Sequence, residues 1–165
     1  MNKISYKNFF VNLLIVTIIF LIDRISKNYI IDLYNADSAV DIYVNSYLNL
    51  YLIWNKGIAF GLLSFNESFS YKIISLIIVL ITIIILVMII NHTGFKMYAL
   101  LAIFGGSIGN LFDRFYYSAV PDFIDLHINN LHWFIFNVAD IFITTGVLCL
   151  ICAEMFSNNH SIKKQ

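Results

Sequence analysis

Eighteen consecutive residues without a charge, Ile73 to Ile90, constrain this chain more than any other feature of it. As a helix at 1.5 Å per residue the run reaches about 27 Å, close to the roughly 30 Å hydrocarbon core of a bilayer. Three further apolar runs have comparable length, so the sequence predicts spans at about residues 9–31, 71–90, 97–115 and 135–154. With 60% apolar residues and one proline in 165, an ordinary soluble domain is excluded. The expected fold is an all-α integral membrane protein, one domain over residues 1–165, with four transmembrane helices.

The first run, Phe9 to Ile22, follows Lys3 and Lys7, as the apolar region of a cleavable signal peptide would. No small-residue cleavage site follows it. Asp23, Arg24 and Lys27 come next and the helical pattern continues through Ile30 and Ile31, so it reads as a retained span.

Lys3 and Lys7, His92 and Lys96, and Lys163 and Lys164 fall in short segments on one side of a four-span chain, which the positive-inside rule makes cytoplasmic. Both termini are expected there. The other side receives a first outer loop at about Tyr34 to Ser70 and a second carrying Asp122, Asp125, His127 and His132. From Asp41 to Leu52 the first loop alternates Asp, Tyr and Asn with mostly apolar residues, a period of two that predicts strands in a small extracytoplasmic sheet between helices 1 and 2. Its tyrosines and Trp54 suit the membrane–water boundary.

Ten basic and ten acidic residues, scattered singly, offer no stripe for a phosphate backbone, and nucleic acid is not expected as a partner. Cys149 and Cys152 lie in an apolar run and read as thiols on a helix. His127 and His132, five apart in a loop with no evident third ligand, do not make a metal site by spacing.

Charges inside spans are costly and are candidates for function. Asp23 shares a helical face with Ser26 and Lys27, and Asn110 one with Asp113 and Arg114; Asn137, Asp140 and Thr144 repeat the spacing. Asp23 lies sixteen residues beyond Lys7, about 24 Å along a helix. That depth places all three faces near the outer boundary. Ordinary ion pairing explains Asp23 with Lys27 or Asp113 with Arg114. It does not explain Asp122 and Asp140, which have no basic neighbour within helical reach and read as an acid–base pair. Gly105 and Gly109 read as a close helix-packing step.

Asp23 with Lys27, Asn55-Lys56-Gly57-Ile58-Ala59-Phe60, the run Gly105-Gly106-Ser107-Ile108-Gly109-Asn110-Leu111-Phe112-Asp113-Arg114, Val120-Pro121-Asp122-Phe123 and Phe136-Asn137-Val138-Ala139-Asp140 occur in one order along the chain. In that order and spacing the sequence resembles the lipoprotein signal peptidases (signal peptidase II), from the first span to the fourth. The resemblance implies a membrane aspartic endopeptidase with Asp122 and Asp140 as the catalytic dyad. It implies that Asn55, Asn110, Arg114 and Asn137 line the substrate site, and that Asp23, Lys27, Gly57 and Asp113 support it. The implied substrates are diacylglyceryl-modified prolipoproteins, cut just before the lipidated cysteine. The implied setting is the bacterial cytoplasmic (inner) membrane, with membrane lipid as a partner, no metal or organic cofactor, and a monomeric enzyme. Two departures stand out: Pro121 biases Val120 toward an extended backbone, and Asp125 adds a second carboxylate near Asp122.

Two other functions remain open to the residues: a serine–lysine peptidase using Ser26 or Ser107 with Lys27, and a small transporter with the polar cluster as its binding site. Ser26 and Lys27 are adjacent and face different directions on a helix, and the internal repeats and broken spans frequent in transporters are not evident.

Overall fold

The computed structural model describes residues 6–57, 67–129 and 131–162. Ile58, Ala59 and Phe60, and the basic residues Lys3, Lys163 and Lys164, lie outside them. The elements run α1 (Tyr6–Asp37), β1 (Asp41–Asn45), β2 (Leu48–Asn55), α2 (Glu67–Asn91), α3 (Phe95–Tyr116), β3 (Val120–Ile128), β4 (Leu131–Phe136) and α4 (Val138–Ile162). Each helix is long and apolar enough to cross a membrane, with spans Phe9–Asp37, Tyr71–Asn91, Phe95–Tyr116 and Val138–Phe156. The chain is a multi-pass membrane protein.

The central helix is α3: half of its span is buried, against 11–17% in the other three, whose apolar residues face outward. It packs on each of α1, α2 and α4. Glycine makes this possible. A Cβ on Gly106 would sit 2.5 Å from the Ala139 carbonyl oxygen, and one on Gly109 would sit 2.5 Å from the Asp23 carboxylate. The small residues bring two helices and a charge against the α3 backbone.

The strands form one antiparallel sheet in the order β1-β2-β3-β4. The period-two segment folds as the β1–β2 hairpin, turned at Asn45, whose Oδ1 accepts the Tyr47 N–H at 2.8 Å. Leu50 and Leu52, from the apolar face of that pattern, pack with Ile30, Val40 and Phe123, seating the sheet on the end of α1. At 32 residues α1 is about 48 Å long, more than a bilayer needs, and its last turns rise to meet the sheet.

The structure extends the expectation at the second outer loop, which supplies the other half of the sheet. Val120, Pro121, Asp122 and Phe123 are all buried, so β3 lacks the alternation that marks a half-exposed strand. Ile135 and Phe136, expected in the fourth span, pair with Asp125 and Ile124 in the sheet, and α4 begins at Val138. Likewise α1 runs to Asp37 beyond the expected limit. At the far end of the bundle Lys96 pairs with Glu154, tying the start of α3 to the last turns of α4.

Candidate active site

Asn137 occupies the N-cap of α4, and its Oδ1 accepts the backbone N–H of Asp140 at 3.1 Å while Asp140 Oδ2 accepts the backbone N–H of Asn137 at 3.1 Å. This reciprocal pair is a capping box built from Asn and Asp, satisfying two donors that a helix start would otherwise leave unpaired. The next free donor, Ala139 N–H, goes to Asp23 Oδ1 at 3.0 Å. Helix capping therefore holds Asp140 in place against α1.

The sheet brings the second carboxylate. Asp122 in β3 is buried, and its two oxygens accept from Asn137 Nδ2 at 2.6 Å and from Asn55 Nδ2 at 2.8 Å. Asn55 ends β2 and is itself held by the Gly57 N–H, 2.6 Å from its Oδ1. Gly57 adopts φ +77, a left-handed conformation that favours glycine. Asn110 in α3 donates to Asp140 Oδ1 at 2.8 Å. Each carboxylate oxygen of the two aspartates thus accepts one N–H and keeps a lone pair for another donor.

Burial pushes the Asp122 carboxyl up to about 6; the Asn55 and Asn137 hydrogen bonds oppose that shift, the negative charge of Asp140 adds to it, and the Lys27 charge opposes it. The carboxyl is poised to change protonation near neutral pH.

Behind Asn110 lies a buried charge cluster. Lys27 Nζ reaches Asp23 at 3.0 Å, Asn110 Oδ1 at 2.8 Å and Asp113 Oδ2 at 2.7 Å, which engages all three of its donors. Arg24 pairs with Asp23 at 2.9 Å and with Asp113. Two cations and two anions cancel, with Asn110 linking the cluster to Asp140. Arg24 went unassigned by spacing because helix neighbours one residue apart diverge; its long side chain nevertheless curls back to the face of Asp23 and lies over the Phe112 ring at 4.8 Å.

Arg114, expected to line the substrate site, sits within electrostatic reach of Asp122, Asp140 and Asp113, and its backbone carbonyl accepts from the Tyr71 hydroxyl at 2.7 Å. Gly57 lies against it, 3.8 Å separating a Cβ position there from an Arg114 guanidinium nitrogen. Asn55, Asn110 and Asn137 therefore hydrogen-bond the two aspartates and Arg114 lies within their electrostatic reach, while Asp23, Lys27 and Asp113 form the layer beneath. Ser26 Oγ donates to the Asp23 carbonyl at 2.9 Å, and Lys27 has no donor left over to serve it. Asp140 also borders an apolar cavity of about 270 Å³ lined by Phe134, Phe136, Ile141, Thr144 and Thr145.

Known proteins share this arrangement of helices and sheet. A family model described as signal peptidase (SPase) II matches residues 15–156. The chain belongs to the signal peptidase II family. It is 53% identical over 159 residues to the lipoprotein signal peptidase of Pelagibacter ubique, covering 96% of each chain. With the lipoprotein signal peptidase of Anaplasma phagocytophilum it shares 40% over 145 residues, 88% of this chain and 92% of that one. A solved bacterial membrane enzyme superposes with a TM-score of 0.68 at 27% identity, covering 91% of this chain and 90% of that structure. Family membership makes the chain a peptidase, and the match spans all four helices and the sheet.

Proposed function

We propose that this signal peptidase II family member removes signal peptides from prolipoproteins whose cysteine carries a diacylglyceryl group, cutting just before that cysteine with Asp122 and Asp140 as an aspartic dyad. The observation that carries the reading is the Asn137 side chain, which touches both aspartates and ties one to a helix start and the other to the sheet. The relatives named lipoprotein signal peptidase supply the substrate class.

Two neighbouring carboxyls cannot both ionise cheaply, so the pair holds one proton at working pH. The ionised member takes a proton from water as its oxygen attacks the scissile carbonyl. The protonated member donates to the carbonyl oxygen, and the tetrahedral intermediate collapses as the amine leaves with a proton. Arg114, Asn55 and Asn110 hold substrate backbone in a site where hydrogen bonds are little weakened by water. The cavity beside Asp140 accepts apolar substrate groups, and the lipid holds the cysteine at this depth, each buried methylene contributing about 0.8 kcal/mol.

The sheet end faces outward from the inner membrane and both termini face the cytoplasm, in keeping with the basic residues at the opposite end. The serine–lysine alternative loses ground because the Lys27 ammonium is fully engaged. The direct test incubates purified protein with a lipidated prolipoprotein and follows its mobility. Cleavage by the wild type, and none by Asp122→Asn or Asp140→Asn, is the expected result; equal cleavage of the unlipidated precursor would overturn the substrate reading.

A further inference from the structure

Away from the two aspartates, the β3–β4 hairpin gathers the two histidines that spacing alone left without a third ligand. His127 and His132 are directly paired across the strands, their rings stacked at 5.2 Å with an interplanar angle of 29°. Asp125 joins them: its Oδ2 lies 2.8 Å from His132 Nδ1 and 3.8 Å from His127 Nδ1. One donor atom from each of the three residues falls within 4.8 Å of the others. The register shift between Asp125 and His127 accompanies this convergence, since a bulge re-aims side chains along a strand.

The second observation is an unpartnered group. The His127 side chain is 10% exposed, yet its Nδ1 has no hydrogen-bond partner. A buried ring nitrogen left so is unfavourable, since it has given up its bond to water and gained none in return. It borders the Asp125 carboxylate, which is 5% exposed and already accepts from His132. A hydrogen bond from His132 alone explains that pair and leaves His127 unexplained.

The geometry points to a divalent transition-metal site formed by Asp125, His127 and His132. A tetrahedral ion with ligands at about 2.0–2.1 Å needs donors roughly 3.3 Å apart, within the spread observed here, so closure asks for side-chain shifts of roughly 1 Å. Two imidazoles and one carboxylate, with no thiolate, suit Zn²⁺ and its neighbours and not Ca²⁺ or Mg²⁺. Binding through both Nδ1 atoms requires each neutral ring to carry its hydrogen on Nε2, so the His132 to Asp125 hydrogen bond is exchanged for two bonds to the ion. His132, 57% exposed, leaves the site open to water from outside. The ion would clip β3 to β4, the strand that leads directly into Asn137 and Asp140.

The test titrates tag-free, chelator-stripped protein in detergent with ZnCl₂ by calorimetry and follows the melting temperature. One zinc per chain and a rise in melting temperature are expected. Outer-shell partners are worth about 10–100-fold in metal affinity, so losing a ligand should weaken binding by at least about tenfold. His132→Ala is the primary variant because its exposed side chain contributes least to packing; His127→Ala and Asp125→Asn should follow it, and His92→Ala should bind as the wild type does. X-ray absorption should count two imidazoles. Unchanged zinc affinity in His132→Ala, or no saturable binding by the wild type, would overturn the site.

Discussion

Asn137 donates its side-chain amide to Asp122 at 2.6 Å while the carbonyl end of the same side chain caps the helix of Asp140. The two roles are separable. Both Asn137→Ser and Asn137→Ala lose the buried bond to Asp122, but Ser keeps an N-cap oxygen, so the Ala variant should be the less stable of the two by about 1 kcal/mol. Both lack the amide donor to Asp122, and both should cleave far more slowly. A Ser variant as active as the wild type would show that the contact to Asp122 is idle.

Asp122→Asn and Asp140→Asn should fold, insert and lose activity by orders of magnitude, since the remaining carboxyl cannot be both base for water and acid for the leaving amine. At Asp122 the substitution turns an amide toward donors already supplied by Asn55 and Asn137, a cost of about 1–3 kcal/mol offset by removal of a buried carboxyl. The double variant should be scarcely worse than either single one. Asp125→Asn should keep most of the wild-type rate in metal-free buffer. Single-turnover cleavage of the lipidated substrate checks all four, and an Asp125 variant as inactive as the Asp122 one would move the dyad.

The raised value of Asp122 fixes the sign of a pH effect. Its carboxyl titrates at about 6 in the folded chain and at about 3.9 in an unfolded one. Between those values only the folded state holds the proton, so this group's contribution is fully present below pH 4 and is lost as pH rises through 6. The loss amounts to up to about 3 kcal/mol. Relative to Asp122→Asn, the wild type should therefore melt progressively lower from about pH 4 to just above pH 6 and run parallel to it at higher pH. Parallel melting curves for the two proteins over the lower range as well would contradict this. The cleavage rate should also inflect near pH 6, with an apparent value that belongs to the pair.

Lys27 is completely buried among Asp23, Asp113 and Asn110. Lys27→Met leaves two buried carboxylates with Arg24 as their only remaining ion-pair partner among the described residues, and should cost about 3–5 kcal/mol. Lys96→Met, which removes the exposed pair with Glu154, should leave the melting temperature within error. Thermal unfolding in detergent distinguishes them; equal losses would mean that the buried cluster contributes no more than a surface pair.

Orientation is checked by labelling. In a background without Cys149 and Cys152, a cysteine replacing Tyr43 in β1 should react with an impermeant reagent added to spheroplasts. One replacing Asn91 at the end of α2 should react only after permeabilisation. The reverse pattern would put the sheet in the cytoplasm.

The four spans and the β1–β2 hairpin were legible in the chain because each is a local pattern. A bilayer demands about 20 apolar residues in a row, and a strand with one wet face alternates. The motif residues around Asn110 and Asp140 were legible for a related reason, since residues three or four apart share a helix face. What packing alone established lies far apart in sequence. Asn55 meets Asp122 across 67 positions and Lys27 meets Asp113 across 86, and no local period encodes either contact. β3 carries no local alternation because both its faces are covered, and spacing does not encode the partners of Arg24 because a long side chain can leave the direction its backbone position implies. Asp125 met His127 and His132 only once a hairpin and its bulge had aimed all three at one point. Local spacing determines which face a side chain starts from, but the partner waiting there is set by which helices and strands can be packed together without leaving a buried polar group unpaired.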